Sequence, residues 1–280
     1  MRFVFFGTPD FASIVLKKMI EGGCKPDLVI CNPDRPFGRK KVITPPPTKL
    51  LALKHDIKVL QPEVLSIYNL QPITHNLDFA VVAAYAKIIP KEILALPRLG
   101  TIGVHPSLLP KYRGASPIQT AILNGEKETG VTLYLMDEKV DHGPVLENRK
   151  WKIESRINYI ELQKQLAELA GDLLVETLPK FINGEIKPLV QDESAATLTK
   201  KFTTQDVFVD YSDLFDAEAG DLEKALKIHR MIRAFVLEPG IWTMKDGKRV
   251  KLLESEVVKN KLQLKKIQVE GEKPKLVSNR

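Results

Sequence analysis

Cysteine is scarce in this 280-residue chain: only Cys24 and Cys31 occur, with no His, Asp or Glu cluster at metal-ligand spacing beside them. That excludes a disulfide scaffold, gives no sign of a metal centre, and leaves both thiols to be expected as small buried apolar groups. No run of 18 apolar residues is present, and Met1-Arg2-Phe3-Val4-Phe5-Phe6 leads straight into a turn instead of following a basic stretch. A membrane span and a secretion signal are therefore not expected, and a cytoplasmic location is. Neither G-x-G-x-x-G nor G-x-x-x-x-G-K-[ST] occurs, which argues against the usual phosphate cradles of nucleotide-binding domains. There is no internal repeat. Acid is also in deficit, with 35 Asp and Glu against 42 Lys and Arg for a formal charge of +7. Such a balance favours an anionic partner, with nucleic acid the first candidate.

What is present is ordinary globular composition, 44% hydrophobic and 28% charged, enough for one large or two modest domains. Through residue 190, short β-rich runs alternate with amphipathic stretches, the pattern of βαβ units and a parallel sheet. Strands are expected at Arg2 to Phe6, Asp27 to Cys31, Lys58 to Leu60, Phe79 to Ala83, Thr101 to Val104 and Val131 to Met136, and helices at Phe11 to Glu21, Lys49 to His55 and Ile160 to Leu178. Ser116-Pro117 with Gln119 reads as a capped helix start, and Gly125 as its left-handed stop. A polar stretch from Gln191 to Thr204 reads as a linker. Beyond it, Asp221 to Phe235 has helical periodicity, while Ile241 to Leu253 and Lys261 to Val269 alternate like strands around Asp246-Gly247.

His105 follows a short apolar strand, and a polar group at a strand's carboxyl end in an open α/β sheet usually faces the ligand crevice. Taken alone, a histidine there is as readily a satisfied half-buried side chain. Pro33 to Pro47 carries Arg35, Arg39, Lys40 and Lys41 and ends in three prolines. It is expected to be a stiffened loop presenting positive charge, neither helix nor strand. From Lys245 to Lys266, eight basic residues face three acidic ones; a charge cluster by itself is also compatible with a merely solvated surface.

Several motifs occur in one order: Gly7-Thr8-Pro9-Asp10-Phe11-Ala12, Pro33-Asp34-Arg35-Pro36 with Gly38-Arg39, Ala84-Tyr85 with Pro90, His105-Pro106-Ser107-Leu108-Leu109-Pro110, Tyr112-Arg113-Gly114, Thr129-Gly130-Val131-Thr132 and Asp141-His142-Gly143. On these, across residues 1 to 255, the chain resembles the methionyl-tRNA formyltransferases of the folate-dependent N-formyltransferase superfamily. One departure stands out: the family pattern Asn-x-His reads Gly103-Val104-His105 here.

The resemblance implies a Rossmann-like, mostly parallel α/β formyltransferase domain over 1–190, a linker over 191–204 and a small OB-like β-barrel over 205–280. It implies 10-formyltetrahydrofolate as formyl donor and the amino group of initiator methionyl-tRNA as acceptor. His105 would be oxyanion donor and proton shuttle, and Asp141 would polarise its ring. Residue 103 would be a second donor, missing in glycine, an absence that typically costs about 10²–10³-fold in rate. Tyr85, Ala86, Lys87, Ile88 and Ile89, then Ser107, Leu108, Leu109 and Pro110, then Asp137, Val140 and Asp141 would hold the folate. For Ile88, Ile89 and Val140, plain core packing is the competing reading. Arg35, Arg39, Lys40, Lys41, Lys248 and Arg249 would meet the tRNA, with no metal involved and the protein a monomer. Two alternatives remain open at this point: a formyltransferase for an amino-sugar nucleotide, and a catalytically silent tRNA-binding homologue. Salt-dependent tRNA binding and formyl-transfer turnover would respectively exclude them.

Overall fold

The computed structural model describes residues 1–38, 40–66, 76–237 and 239–277. It groups into two compact units. One comprises residues 1–113, 129–151 and 163–198; the other comprises 114–128, 152–162 and 199–280. The expected division near residue 190 thus differs from the contact grouping, in which two inner segments of the chain join the C-terminal part. Among the described residues no helix is long and apolar enough to cross a membrane.

The first unit is built on strands β1 (Phe3–Gly7), β2 (Leu28–Ile30), β5 (Lys58–Leu60), β6 (Phe79–Ala83), β7 (Thr101–His105), β9 (Glu128–Leu135) and β10 (Val145–Lys152), in the order β10-β9-β7-β6-β1-β2-β5. β7, β6, β1, β2 and β5 pair in parallel, while β9 runs antiparallel to β7. The central strands β1, β6 and β7 are buried along their whole length, as continuous apolar runs covered on both faces must be. Helix α1 (Asp10–Glu21) turns Phe11, Ala12, Val15, Leu16 and Met19 inward, the spacing of a single apolar face. Because β1 leads outward to β2 and β5 on one side, while β6 leads to β7 and β9 on the other, the strand order reverses between β1 and β6. Ligand crevices of open α/β sheets form beside such a reversal, at the carboxyl ends of the strands.

Two local expectations are corrected. The basic segment after β2 is not an irregular loop: β3 (Arg35–Phe37) and β4 (Val42–Thr44) pair as an antiparallel ribbon, Arg35 opposite Thr44 and Pro36 opposite Ile43. The physical reason is local, since Arg35 and Thr44 each precede a proline and are held extended, and Val42, Ile43 and Thr44 are β-branched. Ser116 does not close a capping box either. Its side chain makes no cap bond to helix α4 (Pro117–Leu123), and its backbone amide instead donates to Thr199 Oγ1 at 3.1 Å. Gly125, at φ +67°, does provide the expected left-handed stop.

In the second unit, β12 (Trp242–Lys245), β13 (Lys248–Val258), β14 (Lys261–Val269) and β15 (Lys275–Leu276) form a small antiparallel sheet in that order. Helices α6 (Tyr211–Ala219) and α7 (Leu222–Ala234) pack on it, and α4 packs on α7. Asp210 and Asp221 cap the two helices by accepting from the amides of Ser212 and Lys224. On α7, His229 is half-buried, with Nδ1 3.0 Å from Ser255 Oγ. Burial, with Arg233 and Arg230 nearby, pushes it down to about 4 from an ordinary 6.5. The folded state therefore resists protonating a residue that the unfolded chain protonates below about 6.5. This contribution is complete above that pH and is lost as pH falls toward 4. His229→Asn is expected to flatten the acid limb of stability between pH 6.5 and 4, measured by urea unfolding across that range; an unaltered limb would locate the acid sensitivity elsewhere.

Candidate active site

His105 ends β7 with its ring 6% exposed. Both ring nitrogens have partners: Nε2 lies 2.8 Å from the Tyr112 carbonyl, and Nδ1 3.4 Å from Asp141 Oδ2. A ring that donates to a carbonyl through Nε2 can donate to the carboxylate as well only as an imidazolium. A substrate oxygen reaching Nε2 must take the place of the Tyr112 carbonyl. The turn that brings this carbonyl back is held by Ser107 Oγ donating to the Lys111 carbonyl at 2.6 Å, and by Thr132 Oγ1, which donates to the Ser107 carbonyl and accepts from the Leu109 amide. Tyr112 itself sits at φ +65°.

Asp141 arrives from the segment after β9. That segment returns tightly, with the Leu135 amide donating to the Pro144 carbonyl at 2.9 Å. A Cβ on residue 143 would lie 1.7 Å from the Leu135 carbonyl oxygen, so only glycine fits there. Asp141 adopts φ +48°, a left-handed conformation that costs an ordinary residue about 1 kcal/mol or more. Its neighbours fix it: Gln191 Nε2 donates to the carbonyls of Asp141 at 3.0 Å and Gly143 at 2.7 Å, and Tyr134 donates its hydroxyl to Asp141 Oδ1 at 2.7 Å.

Gln191 falls within the stretch expected as linker, yet it is buried and accepts from Arg113 Nε and Nη2 at 3.1 and 2.8 Å. Arg113 also pairs with Glu193 through both terminal nitrogens, which holds the Glu193 carboxyl below its usual range. His142 links Glu193 to Asp137, with Nδ1 2.6 Å from Asp137 Oδ2 and Nε2 3.5 Å from Glu193 Oε1.

The space beside residue 103, which has no side chain of its own, is taken. Gly103 is the direct partner of Tyr134 across β7 and β9, and a Cβ at 103 would stand 2.4 Å from Tyr134 Cε1 and 2.5 Å from its Cζ. The phenol ring fills the room that a side chain at 103 would need.

The residues expected to hold folate divide between packing and display. Ile89 and Tyr85 belong to the core, Tyr85 edge-on to Phe6 at 5.5 Å with its hydroxyl pushed up to about 12 by burial. Among the described residues, the buried Tyr85 hydroxyl has no hydrogen-bond partner. Ile88, by contrast, is 93% exposed and Val140 65% exposed, which removes plain core packing as their explanation. Lys87 Nζ donates to the carbonyls of Pro62 and Glu63, and Ala86 is exposed. Ser107 and Leu109 are buried, while Leu108, Pro110 and Asp137 are half-buried. An ion pair between Lys91 and Glu138 ties the segment following β6 to the one following β9. Ile88 and Val140 are thus exposed apolar side chains on two segments joined by that ion pair.

Of the basic residues, Arg35 lies on the ribbon 3.7 Å from Glu63, and Lys40 and Lys41 lie at its turn, Lys41 at φ +48°. Arg39 lies outside the described residues. Lys248 and Arg249 begin β13 in the other unit, with the Arg249 guanidinium 4.3 Å over the Trp242 ring. Tyr134, Gln191 and Glu193 were not anticipated at the site. Tyr134 reads in sequence as one more strand residue and Gln191 as linker, so neither carries a local signal; Arg113 was visible only as part of a motif.

The sequence pattern of the formyl transferase family matches residues 1–178, and that of the formyl transferase C-terminal domain matches residues 222–276. A methionyl-tRNA formyltransferase from a Synechococcus species is 44% identical over 264 residues, covering 91% of this chain and 77% of that protein. Among solved structures, an N-formyltransferase from Helicobacter canadensis, in complex with folinic acid and dTDP-3-aminofucose, superposes with a TM-score of 0.65 at 18% identity over 91% of this chain and 87% of that one. A methionyl-tRNA formyltransferase from Clostridium thermocellum gives 0.63 at 17% identity, over 96% and 98%. At these identities the structural likeness is one of fold.

Gln191→Ala removes the acceptor of a buried guanidinium and the donor to two carbonyls of the Asp141 segment. Orphaned buried groups cost about 1–3 kcal/mol each, so a loss of about 2–3 kcal/mol in urea unfolding is expected; a change below about 0.5 kcal/mol would show that Gln191 does not hold this segment.

Proposed function

The chain belongs to the formyl transferase family, and from that premise we infer that it transfers the formyl group of 10-formyltetrahydrofolate to the amino group of methionyl-tRNA, the step that marks the initiator for translation. The observation carrying this reading is the pairing of buried His105, at the end of β7, with half-buried Asp141, in a chain 44% identical to a methionyl-tRNA formyltransferase over nine-tenths of its length. The fold is shared with a sugar N-formyltransferase and does not choose the acceptor; the sequence relationship does.

The reaction joins the acceptor nitrogen to the formyl carbon and releases that carbon from the folate nitrogen. The acceptor amine gives up a proton, and the folate nitrogen gains one. In this reading His105 donates to the formyl oxygen as negative charge gathers on it, in place of its bond to the Tyr112 carbonyl, and Asp141 stabilises the charged ring and takes the amine proton directly or through water. Folate supplies only the formyl group. Ile88, Val140 and the backbone of the tied segments following β6 and β9 would hold its ring system, and low local polarity there would strengthen each hydrogen bond to the reacting carbonyl.

The basic ribbon, with Arg35, Arg39, Lys40 and Lys41, and the start of β13, with Lys248 and Arg249, are read as phosphate-contacting surfaces. The first unit would then carry the chemistry, and the second would help hold the nucleic acid. An aminoacylated tRNA as substrate supports work in the cytoplasm.

His105→Ala and Asp141→Asn are each expected to lower single-turnover formylation by about 10²–10⁴-fold while leaving tRNA binding intact. Activity within a few-fold of wild type in either variant would overturn the assignment of the pair. Lys40→Ala combined with Lys41→Ala is expected to weaken tRNA binding and make the slope of log affinity against log salt shallower by about one to two units. An unchanged slope would remove the ribbon from the tRNA surface.

A further inference from the structure

Tyr134 has no place in the proton transfers described above, yet it stands closer to Asp141 than His105 does. It comes from near the end of β9, directly opposite Gly103 on β7. In an antiparallel pair the side chains of directly opposed residues lie on the same face of the sheet. Here one of them is absent, and the other lies over the bare backbone: the Tyr134 ring edge and hydroxyl come within 2.4 to 2.8 Å of where a Cβ on residue 103 would be. That path delivers the hydroxyl to Asp141 Oδ1 at 2.7 Å, while the other carboxylate oxygen faces His105 Nδ1 at 3.4 Å. Tyr134 is only 4% exposed, so any effect it has on the reaction passes through Asp141.

The carboxylate needs such a tether. Asp141 holds a left-handed backbone, and Gln191 fixes its carbonyl but not its side chain. Rotation of the carboxyl group is restrained by the Tyr134 hydroxyl on Oδ1, with His105 on Oδ2. Burial, and next the Asp141 charge, push the phenol well above its ordinary 10. It therefore stays an O–H donor across the working pH range, and a neutral donor to a carboxylate favours the ionised form.

We propose that Tyr134 is a positioning residue for formyl transfer: its hydroxyl, laid across Gly103, holds the Asp141 carboxylate against His105, and residue 103 is glycine because the phenol ring needs that room. The proposal rests on the reading of His105 and Asp141 as the reacting pair. It also accounts for the departure at residue 103 without a disabled site. The two positions form one unit, in which a hydroxyl from the facing strand and a bare backbone on β7 depend on each other. An asparagine introduced at 103 would collide with the ring and displace the tether.

The test is single-turnover formylation of methionyl-tRNA by the full-length protein over pH 5 to 9, with thermal unfolding measured alongside. Tyr134→Phe keeps the ring and removes the hydroxyl. The expected result is a fall in the chemical rate of about 10–100-fold, as for loss of a group that orients a reacting ligand, with KM for both substrates little changed. The unfolding temperature should be little changed, because the ring packed over Gly103 is kept. Gly103→Ala, which drives the ring away with the hydroxyl still present, should lower the rate similarly in the wild-type background and add nothing to Tyr134→Leu, since the two changes remove one interaction. A Tyr134→Phe protein with the wild-type rate overturns the proposal. So does a lowered rate accompanied by raised KM values and a large drop in unfolding temperature, which marks a packing role only. Full additivity of Gly103→Ala and Tyr134→Leu overturns it as well, and decides the matter if Tyr134→Phe fails to fold. If His105→Ala retains full activity, the reading of the reacting pair fails and the role of Tyr134 with it, whereas loss of activity in His105→Ala beside a wild-type rate in Tyr134→Phe overturns the role of Tyr134 alone.

Discussion

Much of this molecule depends on one requirement, that a carboxylate on a short, left-handed turn be held beside a buried imidazole. Asp141 gains no regular secondary structure of its own, and its backbone conformation is unfavourable for an L residue. It persists because the surroundings over-determine it. The turn closes on β9 through the Leu135 amide, Gly143 lets the two backbones meet, and Gln191 and Tyr134 hold the carbonyl and the carboxyl group.

The same logic extends outward as a chain of charge compensation. Arg113 is buried and would be costly unpaired, but Gln191 and Glu193 share its donors, and His142 links Glu193 to Asp137. Buried ionic groups of this kind add little net stability over apolar packing, and breaking one side is what costs. Their use here is geometric: a segment far along the chain, residues 191–193, is anchored to the turn that carries Asp141. The arrangement therefore joins β7, the β9 turn and the stretch following α5 (Tyr159–Ile182) around one pair of side chains.

How much of this was legible beforehand varied with the range of the interactions. The central strands of the first unit follow from apolar runs set by their own residues, and Phe79 to Ala83 was expected and found with the same bounds, whereas β10, with its mostly polar residues, carries no such run and was not expected. His105 at a strand end and the Asp141-His142-Gly143 motif were legible as sequence signals, and their pairing was read from the family resemblance. The basic segment was misread as a loop because its prolines suggested irregularity, whereas proline also enforces extended neighbours, and the β-branched Val42, Ile43 and Thr44 used that extension to pair. Ser116 was read as a cap because its spacing to Gln119 is right. Its amide is instead engaged by Thr199, 83 residues away, which no local rule includes.

The sequence by itself determined what depends on near neighbours and on the balance of residue types. These are the parallel-sheet pattern, the basic character, the helix periodicities of α1 and α7, and the motif residues His105 and Asp141. Only the tertiary structure decided what stands opposite what. That Tyr134 lies over Gly103, that Gln191 is interior and not linker, and that Ile88 and Val140 are displayed while Ile89 is packed all follow from register and chain return. A strand's residues alternate faces whatever their partners are. Which partner is supplied at each face is set by pairing across dozens of residues, and the energy that fixes it resides in the contacts between segments.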